Sequence, residues 1–521
     1  MLNRYYEQEL GNLRTLAAEF GRRNPALAPL LGSAGATDPD VERLLEGVAF
    51  MTGLVQQRLD DEFPEFIQSL AQLLFPHFLR PLPCMTIMQY TPRATPGEAI
   101  TVPAGAQFAS VPIDGERALF RAAFPVSIEP LAISAVRWEG TATEARSLVI
   151  ELAFQGIAAA EWRGNRLRFW LAGSPNDAAR LFRLLMRHVR EVRVGAEGQP
   201  LAVLPAGCIE ASGLRADLGL LPWPAGAHPA WRILYEYFAL PQKLLFIDIT
   251  GLERWRTRGA ATGMRLRFTF DELPDWAPEV DSGSFVMNAT PAVNLYAQDA
   301  HPLRMDNRQP EYRIQATANG RRNAHIFSVD AVESRLPNGT ESRLQPFSAF
   351  AQDQAAYQIR IKPSVMHTGY DHFLSMPYKP GQPAPEQTLS IKLTCTDGSL
   401  PDDLRLGDIR EPTDTSPVRV GFSNITGVTP HRPPFIEGDL LWRVLSHLNA
   451  NHLTLANRDH LRELLALHLP PRQGLAVRPR RSGCVQERKL ATSEASRAGG
   501  ATQESTARWR LTALTALGPV V

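Results

Sequence analysis

The sequence is poor in the residues that build disulfide or metal-bound frameworks. Its four cysteines, Cys84, Cys208, Cys395 and Cys484, are spread over 521 residues, and no two of them form a CxxC pair. This spacing excludes the usual zinc motifs and a dense disulfide framework. We therefore expect reduced, partly buried thiols in a cytosolic protein.

The chain also lacks long apolar runs. No window approaches the roughly 20 apolar residues that a membrane helix needs. The N-terminus, MLNRYYEQELGNLR, is charged throughout and has neither the apolar core nor the small-residue cleavage site of a signal peptide. We expect a soluble protein that is not exported and makes no direct membrane insertion.

The net charge of the chain is also small, and the common catalytic motifs are missing from its sequence. The 55 lysines and arginines against 54 acidic residues leave a formal charge of +1, so no global field attracts nucleic acid. There is no Walker A loop and no GxGxxG, and GFSNI at 421–425 lacks the second glycine of a nucleophile elbow. His447 and His452 lie five residues apart, off the i, i+4 spacing of a helical metal site. We expect no catalytic, cofactor or metal site and no nucleic-acid partner.

What the chain does have is the composition of a globular protein, with 44% hydrophobic and 21% charged residues. Its length exceeds what one core can organise, so several domains are expected. The patterns predict a multidomain α+β protein in which a helical N-terminal segment precedes β-rich domains. The predicted division is a helical segment at 1–83, a β-rich domain with an inserted helix at 84–252, a second β-rich domain at 253–400, an α+β segment ending in helices at 401–470, and a basic tail at 471–521.

The N-terminal segment predicts three helices. Apolar residues at the 4-3-4-3 spacing of one helix face run from Tyr6 to Phe20. A second helix opens at Asp38 and Pro39, an N-cap acceptor followed by proline, and a third runs from about Pro64 to Pro76. The acidic run at 60–62 is interpreted as a cap of the third helix rather than as an acid and base pair. The candidate core or interface residues are Tyr6, Leu10, Leu13, Phe20, Leu44, Leu45, Leu59, Phe63, Leu70, Trp442 and Leu445.

From about residue 85 the pattern changes to short alternating runs broken by glycine and proline, which is typical of strands. The predicted strands are 86–90, 106–111, 147–154, 231–237, 244–249, 264–270, 324–329, 357–361 and 389–395. Helices are predicted at 177–189, 440–448 and 459–468. The aromatic group between Trp223 and Phe238 fits a strand core, while an interface anchor remains open.

Several segments carry a resemblance to a known family. They are YYEQELGNLR (5–14), DPDVERLLEGVAFMTGLVQQRLDDEFPEF (38–66), LLFPHFLRPLP (73–83), VPAGAQF (102–108), LYEYFALPQKLLFIDITGL (234–252), PAVNLY (291–296), LTCTDGSLPDDLRLGDI (393–409) and WRVLSHLNANHLTL (442–455). Together they resemble the TssF family, also called VasA or ImpG, of type VI secretion system baseplates.

The resemblance implies a structural wedge subunit of a contractile tail-like machine. Such a subunit pairs with a second copy of itself and a TssG-like subunit, and it binds a TssK-like adaptor. Indirectly it supports the spike, tube and sheath, at the cytoplasmic side of the inner membrane. The alternative is a β-rich glycan or cell-wall hydrolase, or a carbohydrate-binding protein, drawn from scattered carboxylates and the tryptophan-rich stretch.

The tail from about Pro471 has a different composition. Between Arg472 and Arg510 there are nine basic residues against three glutamates, with little apolar periodicity. Such a segment cannot bury enough surface to offset the entropy of ordering, so we expect disorder. The tail is interpreted as a truncated or frame-shifted product, with a basic nucleic-acid or membrane arm as the alternative.

Overall fold

The structure, a computed structural model, describes residues 2–24, 39–93, 97–140, 146–223, 229–306, 308–317, 324–347, 356–364, 369–376, 386–434 and 436. Within its helices, the side chains of 2–4, 56–67, 73–74 and 229–230 lie outside this description. The described chain is β-rich, with several sheets and a helical N-terminal segment. The predicted helices 440–448 and 459–468 and the tail lie outside the described residues.

The helices are α1 Leu2–Arg23, α2 Pro39–Leu74, α3 Pro175–Arg187 and α4 Pro229–Ala239. The first strands are β1 Met85–Pro92, β2 Ile100–Val102, β3 Gln107–Ser110, β4 Leu119–Ala122, β5 Val126–Ile128, β6 Leu131–Glu139, β7 Ser147–Phe154, β8 Arg166–Leu171, β9 Val189–Gly195, β10 Ala202–Val203, β11 Ile209–Glu210 and β12 Phe246–Thr250. The remaining strands are β13 Gly263–Phe270, β14 Phe285–Met287, β15 Ala289–Val293, β16 Tyr296–Asp299, β17 Leu303–Met305, β18 Tyr312–Ile314, β19 His325–Arg335, β20 Glu341–Pro346, β21 Ala356–Pro363, β22 Tyr370–Ser375, β23 Gln387–Thr396, β24 Ile409–Pro412 and β25 Val420–Asn424.

Helices α1 and α2 form an antiparallel hairpin. A side chain on Gly53 of α2 would come within 3.2 Å of the backbone nitrogen of Tyr6, so the two helices approach closely there. Two turns further along α1, Arg14 forms an ion pair with Glu42, which lies nearer the start of α2. Leu10 is buried where the helices meet. We call residues 2–23 and 39–74 the helical arm.

The prediction of separate second and third helices was wrong, because α2 is one helix of 36 residues that passes through Pro64. A proline inside a helix removes one backbone hydrogen bond and usually kinks or ends the helix. Here the helix is held on both sides of the proline, by α1 before it and by the sheet contacts described next. The acidic run 60–62 therefore lies inside a helix and does not cap one.

The C-terminal end of α2 is fixed to the edge of a sheet. Gln68 donates from Nε2 to the carbonyl oxygen of Ile361 at 2.7 Å, and its Oε1 accepts from the Ile361 N–H at 3.3 Å. The side-chain amide thus occupies the position that the peptide group of another strand would take beside β21. Ala71, Phe75 and the side chain of Ile436 bury an apolar contact around the same point.

A six-stranded antiparallel sheet has the order β24-β3-β4-β15-β1-β25. Its two outer strands are joined by one side chain. The Asn424 Oδ1 atom accepts from the Ile409 N–H at 3.0 Å, and its Nδ2 donates to the Arg405 carbonyl oxygen at 3.0 Å. The sheet therefore curls around an apolar core that includes Phe108 and Phe120.

Two further sheets share a core with α3. One has the order β10-β9-β13-β7-β6 and the other β11-β12-β8-β14. Helix α3 begins at Pro175 after Ser174, whose hydroxyl accepts from the Asp177 N–H at 3.2 Å as an N-cap. Its leucines 181, 184 and 185 are buried with residues of both sheets, so the predicted helix at 177–189 packs as an amphipathic helix should.

The predicted strand at 231–237 is instead the helix α4, so this prediction was wrong. Proline at the first helical position costs no hydrogen bond, and Pro229 opens the helix. Tyr235 and Ala239 are buried at the i, i+4 spacing of one helix face, and Leu240, directly after the helix, belongs to the same core. The aromatic residues suggested a strand by propensity, but burial of one helical face decides the outcome. Trp223, Trp231, Tyr237 and Phe238 are half-buried around it.

The fourth large sheet has eight strands in the order β16-β23-β19-β20-β21-β22-β18, with β17 also paired to β23. The pair β20 and β21 is parallel, and the other pairs are antiparallel. Strand β19 carries two register shifts against β23. One face of β23 is exposed at Thr388, Ser390 and Lys392, while the leucine and isoleucine positions between them are buried.

Candidate assembly surface

The exposed apolar side chains of the described residues are concentrated on the helical arm. Of twelve large hydrophobic side chains that are exposed, eight lie on α1 and α2, each with between 42% and 69% of its surface exposed. These eight are Leu16, Phe20, Leu44, Val48, Phe50, Met51, Leu54 and Val55. Clusters of exposed apolar side chains on this scale mark interaction sites in soluble proteins.

Four of these residues form a continuous stripe on α2. Leu44, Val48, Met51 and Val55 are spaced i, i+4, i+7 and i+11, which places them on one face of a helix. Because a helix turns by about 100° per residue, this face points away from Ala49, which is fully buried on the side of α2 that meets α1. We call these four residues the α2 stripe. A helix that is apolar on both sides needs a partner on each.

The structure places the candidate core or interface residues in three groups. Leu10 is buried, and the half-buried ones are Tyr6, Leu13, Leu45 and Leu70. Phe20 and Leu44 are exposed in the chain by itself, so a charge at Leu44 would not be buried within it. The side chains of Leu59 and Phe63, and all of Trp442 and Leu445, lie outside the described residues.

The family-like segments supply buried polar groups that hold the sheets together. Lys243 and Glu236 form an ion pair with only 1% and 0% of their side chains exposed. Glu236 Oε1 also accepts from the Leu220 N–H at 2.7 Å. Burial lowers the pKa of Lys243, and the carboxylate of Glu236 opposes that shift. The pair therefore fixes α4 against the 3-10 turn Pro241–Leu245 and the segment before it.

A second buried group joins the six-stranded sheet to the eight-stranded sheet. Asn294 Nδ2 donates to the Leu119 carbonyl oxygen at 2.7 Å and to Asp397 Oδ2 at 2.8 Å. Asn294 Oδ1 accepts from Thr396 Oγ1 at 2.6 Å and from the Asp397 N–H at 2.8 Å. Asp397 Oδ2 accepts in addition from the Leu119 N–H at 2.9 Å. Every polar atom of the Asn294 side chain is satisfied, which makes this junction specific in geometry.

A third contact involves Cys84 and Asp402. The Cys84 thiol donates to Asp402 Oδ1 at 3.3 Å, and the same oxygen accepts from the His431 N–H at 2.9 Å. Burial raises the pKa of the thiol far above its usual range, and burial also raises the pKa of Asp402. A thiol held in this way is protonated and unreactive, so it acts as a structural donor.

Sequence reasoning did not single out these buried polar groups. A signal was present, because Lys243 and Asp248 interrupt an otherwise apolar run at 240–249. In the structure Asp248 is fully buried and pairs with Arg168, with its two oxygens 2.7 Å and 3.0 Å from the guanidinium nitrogens. Charges inside apolar runs are retained when each is paired, which only the fold reveals.

Among the described residues, no three histidine, cysteine, aspartate or glutamate side chains are placed to hold a metal ion. In that same part of the chain, no helix is both long and apolar enough to cross a membrane. The fully buried carboxylates of Asp248 and Glu236 each form a structural ion pair.

The exposed apolar side chains of the helical arm are typical of a subunit that binds other proteins. The family model of the type VI secretion system protein TssF matches residues 1–481. The chain belongs to the TssF family.

Relatives within the family include the type VI secretion system component TssF1 of Pseudomonas aeruginosa. This chain is 29% identical to it over 517 residues, which cover 89% of the chain and 83% of the relative. Among solved structures, a chain of the type VI secretion system TssK-TssF-TssG baseplate subcomplex, determined by cryo-electron microscopy, has a TM-score of 0.69 and 26% identity. That match covers 82% of this chain and 81% of the other. A chain of the baseplate complex from the type VI secretion system shares the fold, with a TM-score of 0.54, 24% identity and coverage of 90% and 83%.

Proposed function

We propose that the chain is a structural wedge subunit of a type VI secretion baseplate, which assembles with a second copy of itself, a TssG-like subunit and a TssK-like adaptor. The observation that carries the proposal is the exposed apolar surface of the helical arm in a member of the TssF family. The solved relative in a TssK-TssF-TssG subcomplex supports TssG-like and TssK-like partners. As part of such a wedge, the chain would indirectly support the spike, tube and sheath of the secretion machine.

The physical argument concerns where binding energy would come from. Burying apolar surface contributes about 25 cal/mol per Å², and the arm offers eight exposed apolar side chains close together. Stable protein interfaces have apolar cores surrounded by polar rims. On α1, Arg23 and Glu19 form an exposed i, i+4 ion pair beside Phe20, as expected at such a rim.

Coexpression tests this proposal. Expressed alone, the chain should aggregate or self-associate, and with a TssG-like partner it should become soluble and copurify with it. Leu16→Asp should reduce copurification at least tenfold, because it places a charge in the interface. Val418→Asp is the matched control, since Val418 is equally apolar and 84% exposed but lies in the β24-β25 connection. A stable monomer that binds no TssG-like protein would contradict the proposal.

A structural role without catalysis is part of the same proposal. The solved relatives are chains of baseplate complexes, and the buried carboxylates Asp248, Asp397 and Glu236 are each committed to a structural partner. A hydrolase or carbohydrate-binding protein would instead present carboxylates or tryptophans in an open cleft. Incubation with peptidoglycan and with a glycan array distinguishes the two, since turnover or specific binding would favour the alternative.

Three further expectations remain predictions. One is the α+β multidomain division with boundaries near residues 83, 252, 400 and 470. Another is residence at the cytoplasmic side of the inner membrane. The third is that the basic tail at 471–521 arises from a frameshift. Resequencing the locus and reading the other two frames downstream of codon 471 tests the last, because a frameshift requires the family pattern to continue in one of them.

A further inference from the structure

Two half-buried arginines lie near Asp330, where the six-stranded sheet meets the eight-stranded sheet. Arg121, on β4, forms no hydrogen bond and no ion pair with a described residue. Arg80, just beyond α2, donates one hydrogen bond, to the Pro222 carbonyl oxygen at 2.8 Å, and its guanidinium lies 5.3 Å from the centre of the Phe327 ring. Guanidinium groups that are largely removed from water usually have an anionic partner.

Strand β19 presents Phe327 and Asp330 at its two register shifts. Each shift leaves one residue of β19 without a partner on β23, first Phe327 and then Asp330. Such a bulge bends the strand and re-aims the side chain of the extra residue, and bulges are frequent beside functional sites. On the other edge of β19, β20 pairs only with residues 332–335, so no described strand covers that edge at 327–330. Asp330 is exposed there, so another chain can reach the side chains around it.

The charges around Asp330 are not balanced. Burial lowers the pKa of Arg80 and of Arg121, and the carboxylate of Asp330 opposes that shift for both. Among the described residues, Asp330 is the one carboxylate whose charge acts on either guanidinium. Its own oxygens accept from Ser328 Oγ at 2.7 Å and from Thr394 Oγ1 at 2.6 Å. Two guanidinium groups and one carboxylate leave a net charge of +1 in a partly desolvated site.

We propose that Arg80 and Arg121 bind the carboxylate of an aspartate or glutamate side chain from a different protein of the baseplate. One further carboxylate balances the net charge, and arginine forms strong, often paired hydrogen bonds with a carboxylate. A phosphate dianion would instead leave excess negative charge beside Asp330. The proposal rests on the proposed function only for the source of the carboxylate, and the site lies outside the helical arm.

Pulse proteolysis of the full chain in urea tests whether Arg121 carries an uncompensated charge. Arg121→Met keeps an apolar stem and removes the charge. The matched control is Arg117→Met, at an exposed arginine just before β4. We expect the urea midpoint of Arg121→Met to be no lower than that of the control, because burial disfavours the charged side chain in the folded state. A lower midpoint would overturn the proposal, since Arg121 would then be a structural partner of Asp330.

The partner carboxylate is sought with a carbodiimide, which joins a lysine amine to a contacting carboxylate as an amide while the reagent takes up the water. The Arg121→Lys full chain is coexpressed with the TssG-like and TssK-like subunits, and the cross-linked complex is mapped by mass spectrometry. Arg117→Lys is the control. We expect position 121 to be linked to an aspartate or glutamate of one of these subunits, at several times the yield at position 117.

Links from position 121 to carboxylates of this chain alone, or a yield no higher than at position 117, would overturn the proposal. Copurification of the subunits is scored first, and its failure contradicts the proposed function. The urea midpoints judge the charged site independently, so the two failures are distinguishable.

Discussion

Replacing Asn294 by aspartate tests the junction between the six-stranded and eight-stranded sheets with almost no change of shape. The amide nitrogen donates two hydrogen bonds, to the Leu119 carbonyl oxygen and to the carboxylate of Asp397. A carboxylate oxygen in its place can donate neither bond. The Leu119 carbonyl oxygen and the Asp397 carboxylate are both acceptors, so each would then face another acceptor inside a fully buried site.

The expected decrease in the free energy of unfolding follows from the two hydrogen bonds that are lost. A hydrogen bond to a charged group contributes about 1.5–3 kcal/mol and one to a neutral group about 0.5–1.5 kcal/mol. Two carboxylates about 3 Å apart in a buried site add repulsion. We expect the free energy of unfolding to fall by about 3–5 kcal/mol. This is a large share of the stability of a domain.

The pH dependence sharpens the test. Burial beside the carboxylate of Asp397 should raise the pKa of the introduced carboxyl in the folded state, above the ordinary value near 4. The protonated form can again donate one hydrogen bond. The deficit of Asn294→Asp should therefore shrink as the pH falls from about 7 to about 5 and be largest at neutral pH.

Pulse proteolysis in urea measures this at low protein concentration, where aggregation is limited. Peptides around residue 119 and peptides around residue 397 should become susceptible to the protease at a lower urea concentration than in the unchanged chain. Asn338→Asp is the control, because Asn338 lies in an exposed turn and uses only its Oδ1, which accepts from the Thr340 N–H. Equal urea midpoints for Asn294→Asp and Asn338→Asp, or a deficit that grows on acidification, would refute the reasoning.

Three other predictions follow from the described contacts. Glu236→Ala should cost about 3–5 kcal/mol by leaving Lys243 buried and unpaired, whereas Glu236→Leu with Lys243→Met should restore most of the loss in the same proteolysis assay. Leu44→Asp should change the free energy of unfolding by no more than about 0.5 kcal/mol, while Leu10→Asp should unfold the arm, as circular dichroism would report; equal effects would contradict the observed burial. Burial raises the pKa of Cys208 to about 11, so alkylation of its peptide at pH 8 should be roughly a hundredfold slower in the folded chain than in urea, and similar rates would show that the thiol is accessible.

The sequence predicted those elements whose signals are local. The strand predicted at 147–154 coincides with β7, and those at 264–270 and 86–90 fall on β13 and β1, because alternation with apolar residues persists for several positions. Helix α3 was predicted by its apolar spacing and was found within two residues of its expected ends. The arm was predicted as helical for the same reason.

The errors arose where a distant contact outweighs a local signal. Pro64 normally ends a helix, yet α2 continues because Gln68 and the residues around Ala71 are fixed to β21. The aromatic residues of α4 favour a strand locally, but Tyr235 is buried on a helix face against a core assembled from residues before and after it in the chain. The polar partners of Asn294 lie 175 and 103 positions away, so no window of sequence contains them.

The strand order of the six-stranded sheet governs when the protein can fold during synthesis. Strand β1 pairs with β15 and with β25, so Met88 faces Thr290 on one side and Asn424 on the other. A ribosome must therefore release nearly the whole described chain before β1 has both neighbours, whereas the core between Leu131 and Met287 is complete much earlier. Between the synthesis of β15 and of β25, one edge of β1 is unpaired on the nascent chain, and exposed strand edges are prone to aggregate. A translational pause or ribosome-bound chaperone acting between codons 300 and 430 would change the yield of native protein more than one acting between codons 150 and 280.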